Sequence, residues 1–272
     1  YQGDARASFM GLQAAFMGLG GVLFLTVGGF VSDINWRLPF AIYLLAWLLL
    51  PTMISALPEP QRQNSVNDSS PNASPIEHLP LKLMAFICAS VLLTQMIFYL
   101  IPVQLPFYLK KLSNASATQS GLAIALSTLL SAVASMNYGK LKQRLSFIKI
   151  LAIALVLMGL GYGGIGLAQT YGLLLVAMIP TGLGLGLLMP NLNVWTATET
   201  PDSLRGRALG GLTTFFFLGQ FLSPIASQPI SAAVGLTATY GLAGVLLLVV
   251  GALIWQFKSA ICRGIASQAG RT

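Results

Sequence analysis

The chain has 272 residues, 55% of them hydrophobic and only 8% charged, with a mean hydropathy of +0.76. So few charges cannot coat a soluble helical globule, which excludes that class and leaves a chain built for lipid. The net charge of +8 is scattered between apolar runs, with no basic patch interleaved with aromatics. Nucleic acid is excluded on that ground, and the charge belongs beside anionic lipid headgroups.

The apolar runs number about eight, each about 18 to 24 residues, and match the hydrocarbon thickness of a bilayer. They are Ser8 to Val31, Leu38 to Leu57, Leu81 to Val103, Gly121 to Tyr138, Ile148 to Ala168, Leu173 to Trp195, Leu209 to Ile230 and Leu236 to Phe257. The fold class expected is all-α, a polytopic helical membrane protein. In the first run Gly11, Gly20, Gly28 and Gly29 recur, with Gly18 and Gly21 beside them. Small residues of this kind let helix backbones approach closely in lipid. After the second run, residues 58–80 turn to Pro, Ser, Asn and mixed charge, a composition that cannot order itself, and read as a disordered cytoplasmic linker. The third run carries Thr94, Gln95 and Tyr99, and the sixth Thr181, Asn191 and Asn193, with Trp195 as a stacking platform. Pro180 and Pro190 in the sixth run and Pro224 in the seventh each remove a backbone hydrogen bond and bend the helix. Residues 258–272 read as a short cytoplasmic tail at the membrane surface.

Orientation follows from the fifteen Lys and Arg residues. With the start of the chain in the cytoplasm, Arg6, Arg62, Lys82, Lys140, Lys142, Arg144, Lys149, Arg205, Arg207, Lys258, Arg263 and Arg271 are cytoplasmic, against Arg37, Lys110 and Lys111 outside. An even number of spans puts both termini of the chain in the cytoplasm. Enzymatic chemistry has no visible centre: the sole histidine, His78, is in the linker, and paired carboxylates, a phosphate loop and a zinc-protease motif are missing. Cys88 and Cys262 do not have metal-site spacing, so neither metal nor cofactor is expected. Asp4, Asp33, Glu59, Asp68, Glu77, Glu199 and Asp202 all fall in loops or at run ends, so none reads as a buried proton carrier.

An internal echo points to a repeat: Arg6-Ala7-Ser8-Phe9-Met10-Gly11-Leu12 opens the first run and Arg207-Ala208-Leu209-Gly210-Gly211-Leu212 opens the seventh. At these residues the chain resembles the major facilitator superfamily of secondary transporters. Gly11, Gly20, Gly28 and Gly29 keep the glycine spacing of the fifth helix in its drug-proton antiporters, although Phe24-Leu25 stands where that motif has Gly-Pro. Trp36-Arg37-Leu38-Pro39-Phe40 is similar to the junction of family helices five and six. Gly139, Lys140, Lys142 and Arg144 resemble the basic loop between helices eight and nine, with Gln143 in place of its acid. Arg205-Gly206-Arg207 and Gly219-Gln220 through Pro224 look like the start and middle of helix eleven.

The resemblance implies family helices five to twelve. Residues 1–57 would then be the last two helices of the N-terminal half and residues 81–257 the six-helix C-terminal half. The implied activity is alternating-access transport of a small molecule, drug-like efflux first and sugar or metabolite uptake second, with protons as the candidate coupling ion. The chain opens on Tyr1 directly before an apolar run. It is therefore expected to lack four earlier helices and not to transport alone, as a fragment or a non-transporting remnant. The cavity candidates are Gln95, Tyr99, Asn191, Asn193, Gln13 and Gln220. Gly219 and Pro224 join the first-run glycines as conformational residues.

Overall fold

The computed structural model describes residues 4–42, 44, 47, 50, 51, 54, 55, 81–201 and 203–258, with side chains described for all of these except 4–15, 17 and 42. The expected linker and the tail beyond Lys258 lie outside the described residues, as does most of the run 38–57. The described part is helical throughout. The helices are α1 (Asp4–Ile34), α2 (Leu81–Phe98), α3 (Leu100–Ser113), α4 (Ala117–Lys142), α5 (Phe147–Leu167), α6 (Tyr171–Glu199) and α7 (Arg205–Gln256). A 3-10 turn at Leu38–Ile42 follows α1.

Local chemistry sets the ends. Ser116 opens α4 through a capping box, its Oγ accepting from the Gln119 N–H at 3.2 Å while the Ser116 N–H donates to Gln119 Oε1 at 3.0 Å. Thr170 caps α6 by accepting from the Leu173 N–H. α3 ends at Asn114 in the left-handed conformation, with Lys110 and Lys111 in its last turn, where positive charge suits the helix dipole. The third run was expected to stop at Val103, yet the helix continues to Ser113. It does so through Tyr99, whose helical dihedrals and i to i+4 bonds to Gln95 O at 3.0 Å and from the Val103 N–H at 3.3 Å carry the helix on, while Pro102 has no N–H to give Phe98 O.

Among the described residues five helices are long and apolar enough to cross a membrane, against the eight runs expected. Run 38–57 is largely undescribed, and α1 contributes only the shorter apolar segment Gly18–Ile34. The third difference is α7, whose 52 residues hold the last two runs. A straight helix of that length would reach about 78 Å, well beyond a hydrocarbon core of about 30 Å. Gly235 resolves the mismatch with φ 82° and ψ 162°, a conformation open only to glycine.

The contacts fix how the helices run. The first arm of α7 lies parallel to α2, with Gly219 on Leu92, Ser223 on Met96 and Ser227 on Gln104. The second arm runs antiparallel to α5, Gly244 meeting the Gly163 backbone and Gly251 that of Ala152. Since α2–α3 and α5 run parallel, through Tyr162 on Ile97 and Tyr108 on Ile165, the chain reverses at Gly235. α6 is antiparallel to α5 and parallel to α4, and α1 lies antiparallel on α4. Lipid is as apolar as the side chains, so close backbone approach supplies the packing. Leu83, Ile87, Leu151, Leu155, Met158, Tyr162 and Tyr240 form the bundle core, while Phe217, Phe221, Leu242 and Val245 face outward.

Candidate functional site

Polar side chains gather where α2 gives way to α3. Gln95, buried on α2, accepts a hydrogen bond through Oε1 from Gln220 Nε2 on the first arm of α7 at 3.3 Å. Gly219 makes room, because a Cβ there would meet Leu92 O at 2.7 Å. One turn on, before Pro224, the Ser223 hydroxyl donates to Met96 O at 2.6 Å. Gln104 Nε2 donates to Ser227 Oγ at 2.7 Å, and its buried Oε1 has no hydrogen-bond partner.

Around Tyr99, where Pro102 gives Phe98 O no N–H, neighbouring helix carbonyls accept from hydroxyls of other helices. The Tyr162 hydroxyl of α5 donates to Ile97 O at 2.8 Å and the Tyr240 hydroxyl of α7 donates to Leu100 O at 2.9 Å. Together with Ser223 they bring hydroxyls to three carbonyls on either side of Tyr99. Tyr99 itself is half-buried. Next to this layer a cavity of about 200 Å³ lies between α2, α3 and the two arms of α7, lined by Met96, Leu100, Ser223, Ser227, Thr239 and Leu246 among others. The tyrosines, Ser223 and Gln104 were not singled out by the sequence; Pro102 and Pro106, four residues apart, were the signal for helix carbonyls short of an N–H donor.

The remaining cavity candidates sit elsewhere. Asn191, fully buried, donates from Nδ2 to Phe147 O at 3.0 Å and accepts from the Tyr138 hydroxyl at 3.4 Å, which ties α4, α5 and α6 together. Asn193 is exposed and bonds Met189 O of its own helix. Trp195 does not offer the stacking platform expected of it. It is 3% exposed, stacked on Phe147 at 5.5 Å with the Phe86 ring against it at 6.0 Å, so no face is free. Gln13 and Gly11 lie outside the residues whose side chains are described.

The basic residues share that end of the bundle. Lys142 Nζ sits 3.7 Å from the centre of the Phe147 ring, a cation–π contact. Arg205 Nε donates to Ala197 O at 3.0 Å, where α6 has carbonyls to spare. Lys140, Arg144 and Arg207 are exposed, and Gly139 has open space around it.

The first-run glycines divide by face. Gly20 and Gly28 have nothing within 4 Å, whereas a Cβ on Gly29 would meet Ala117 O at 2.7 Å. The face of α1 that meets α4 is Gly18, Gly21, Leu25 and Gly29, opposite Ala132, Thr128 and Gly121. Past the apolar run, exposed Asp33 reaches the start of α4. Its carboxylate accepts from the Ala117 N–H at 2.7 Å, the Thr118 N–H at 2.8 Å and the Thr118 hydroxyl. The Thr118 hydroxyl first, and then the Thr118 N–H, hold the Asp33 carboxyl down at about 2.

The sequence pattern of the Major Facilitator Superfamily matches residues 87–264. The multidrug resistance protein MdtG of Escherichia coli (strain K12 / DH10B) is 33% identical over 161 residues, which is 57% of this chain. The match covers 39% of the length of that relative, and the protein of strain SE11 matches to the same extent. Among solved structures, the human organic anion transporter MFSD10 (TETRAN) superposes with a TM-score of 0.56 at 17% identity over 66% of this chain and 42% of that one. A POT family transporter in complex with a thioalcohol-conjugated peptide superposes at 0.55 and 18% identity over 96% of this chain and 56% of that one. At such identities these likenesses speak for the fold.

Proposed function

The chain belongs to the major facilitator superfamily, and from that premise we propose that it walls a pathway through which small drug-like compounds leave the cell by alternating exposure of a central cavity. The observation that carries this reading is the Gln95–Gln220 pair, an amide contact that with Ser223, Gln104 and Ser227 forms a small polar group beside a cavity lined mainly by apolar side chains. Few convergent polar groups in apolar surroundings suit the binding of hydrophobic compounds with one or two polar atoms. The multidrug resistance name of the 33% identical relative supports the same class.

Residues 1–57 are assigned to the end of the N-terminal half, 58–80 to a cytoplasmic linker, 81–257 to the six-helix C-terminal half and 258–272 to a cytoplasmic tail. The antiparallel docking of α1 on α4 supports this division. The end holding Lys82, Lys140, Lys142, Arg144, Arg205, Arg207 and Lys258 faces the cytoplasm of a cell membrane, and both termini of the chain lie there. Protons are the coupling ion in this reading. Asp33 and Glu199, in terminal turns of α1 and α6, are exposed, so a buried carrier is neither of them.

The test is accumulation of a lipophilic dye in cells expressing the complete reading frame that carries this chain. Expression lowers accumulation, and Gln95→Ala or Gln220→Ala cuts the efflux rate about three- to ten-fold, the worth of one neutral hydrogen bond. Efflux unaltered by both variants at normal membrane levels refutes the reading.

A further inference from the structure

Asp33 is in the wrong place for its own helix. It lies in the last turn of α1, where unpaired carbonyls disfavour a negative charge, and no basic residue offsets it there. α4 has the complementary deficiency. Its N-terminus favours an acidic residue, yet its first turn contains none. The capping box occupies Ser116 and Gln119 and leaves the Ala117 and Thr118 N–H groups, and these are the two that the Asp33 carboxylate takes, with the Thr118 hydroxyl added. Along the rest of their interface α1 and α4 meet through small residues, Gly18 at Ala132, Gly21 at Thr128 and Gly121 at Leu25. Among the described residues the three bonds to Asp33 are the hydrogen bonds that join these helices. They are exposed, so water competes for them and they can open without desolvating a charge.

We propose that Asp33 and the start of α4 form a latch that holds the bundle closed at the end opposite the basic loops. Resting on the alternating-access reading given above, the latch releases when the pathway opens on that side. Asp33 is a positioning residue here, acting through the placement of α1 rather than on the transported compound. Gly29 and Gly121 bring the backbones close enough for the carboxylate to reach the amides. The steric seam farther along acts as the pivot.

The test is spin-label distance measurement on the 272-residue chain in liposomes, independent of transport. One pair, at exposed Phe30 and Leu122, reports the latched end, and a second, at exposed Phe16 and Met136, reports the other. The parent chain gives a dominant short distance and a minor long one at each. Asp33→Ala raises the ratio of long to short distances at the latched end about five-fold, with a smaller shift for Asp33→Asn, and leaves the other end unchanged. An unaltered distribution at the latched end overturns the latch. So does loss of the short distance at both ends, which means α1 has left the bundle. A five-fold shift combined with absent dye efflux in the complete protein sinks the transport reading and leaves the latch standing.

Discussion

Gly121→Ala separates the contact face seen in the fold from the glycine spacing seen in the sequence. A Cβ on Gly121 lies 2.6 Å from Leu25 O and 3.3 Å from the Gly29 Cα, both of them backbone atoms that no rotamer change moves aside. Ordinary contact begins at 3.4 Å, so α1 and α4 must separate by 0.8 Å at this point. That displacement carries the Asp33 bonds of 2.7 and 2.8 Å to the edge of hydrogen-bonding range. Overpacking of this kind costs about 1–3 kcal/mol. Gly20→Ala and Gly28→Ala place their methyl groups in open space and are expected to change stability by less than about 0.5 kcal/mol. The assay is thermal unfolding of the three variants in detergent, each read against the parent. The reasoning fails if Gly20→Ala or Gly28→Ala lowers the midpoint as much as Gly121→Ala, because the antiporter-like spacing would then outweigh the observed contacts.

Tyr240→Phe removes the hydroxyl hydrogen bond to Leu100 O in the bundle core, and Tyr162→Phe removes the one to Ile97 O; each is expected to cost about 1 kcal/mol in thermal unfolding. Their rings, from α5 and α7, lie 6.0 Å apart over neighbouring carbonyls, so the double variant departs from additivity. For Asp33 the folded value of about 2 lies below the ordinary 3.8. Its contribution is therefore complete above the ordinary value and is lost as pH falls through about 2. The Phe30–Leu122 distance should stay constant from about pH 8 to about pH 5, and a shift inside that window contradicts the assignment.

The apolar runs located the helices well because uncharged stretches of bilayer length have few other readings. Their ends were less readable, since polar caps extend helices past the last apolar residue: α4 starts at Ala117 because Ser116 and Gln119 cap it, not at Gly121 where the run begins. Which glycines make contact was hidden for another reason. Gly18, Gly21 and Gly29 share a face by helical period, but only α4 on the other side distinguishes them from Gly20 and Gly28. Amides posed the same difficulty. Asn191 and Gln95 look alike in sequence, and only the fold shows the first engaged at both ends of its amide and the second paired with another glutamine.

The two ends of the bundle are held by different physics, and that difference bears on which end opens more readily. At the basic end Trp195 stacks on Phe147 and meets the Phe86 ring edge to face, and Asn191 bridges three helices, so opening there exposes aromatic surface and strands a buried amide. At the other end α1 is held by three exposed hydrogen bonds over a seam of small residues, and water replaces those bonds as they break. The basic-end contacts, however, lie within α2 and α4–α6 of one helix group, whereas the Asp33 contact joins α1 to that group. Movement of α1 as a body therefore works against the latch and leaves the aromatic cluster intact. A rocking motion between helix groups meets its hydrogen-bonded resistance at Asp33, a single carboxylate whose removal shifts a population without unfolding the core.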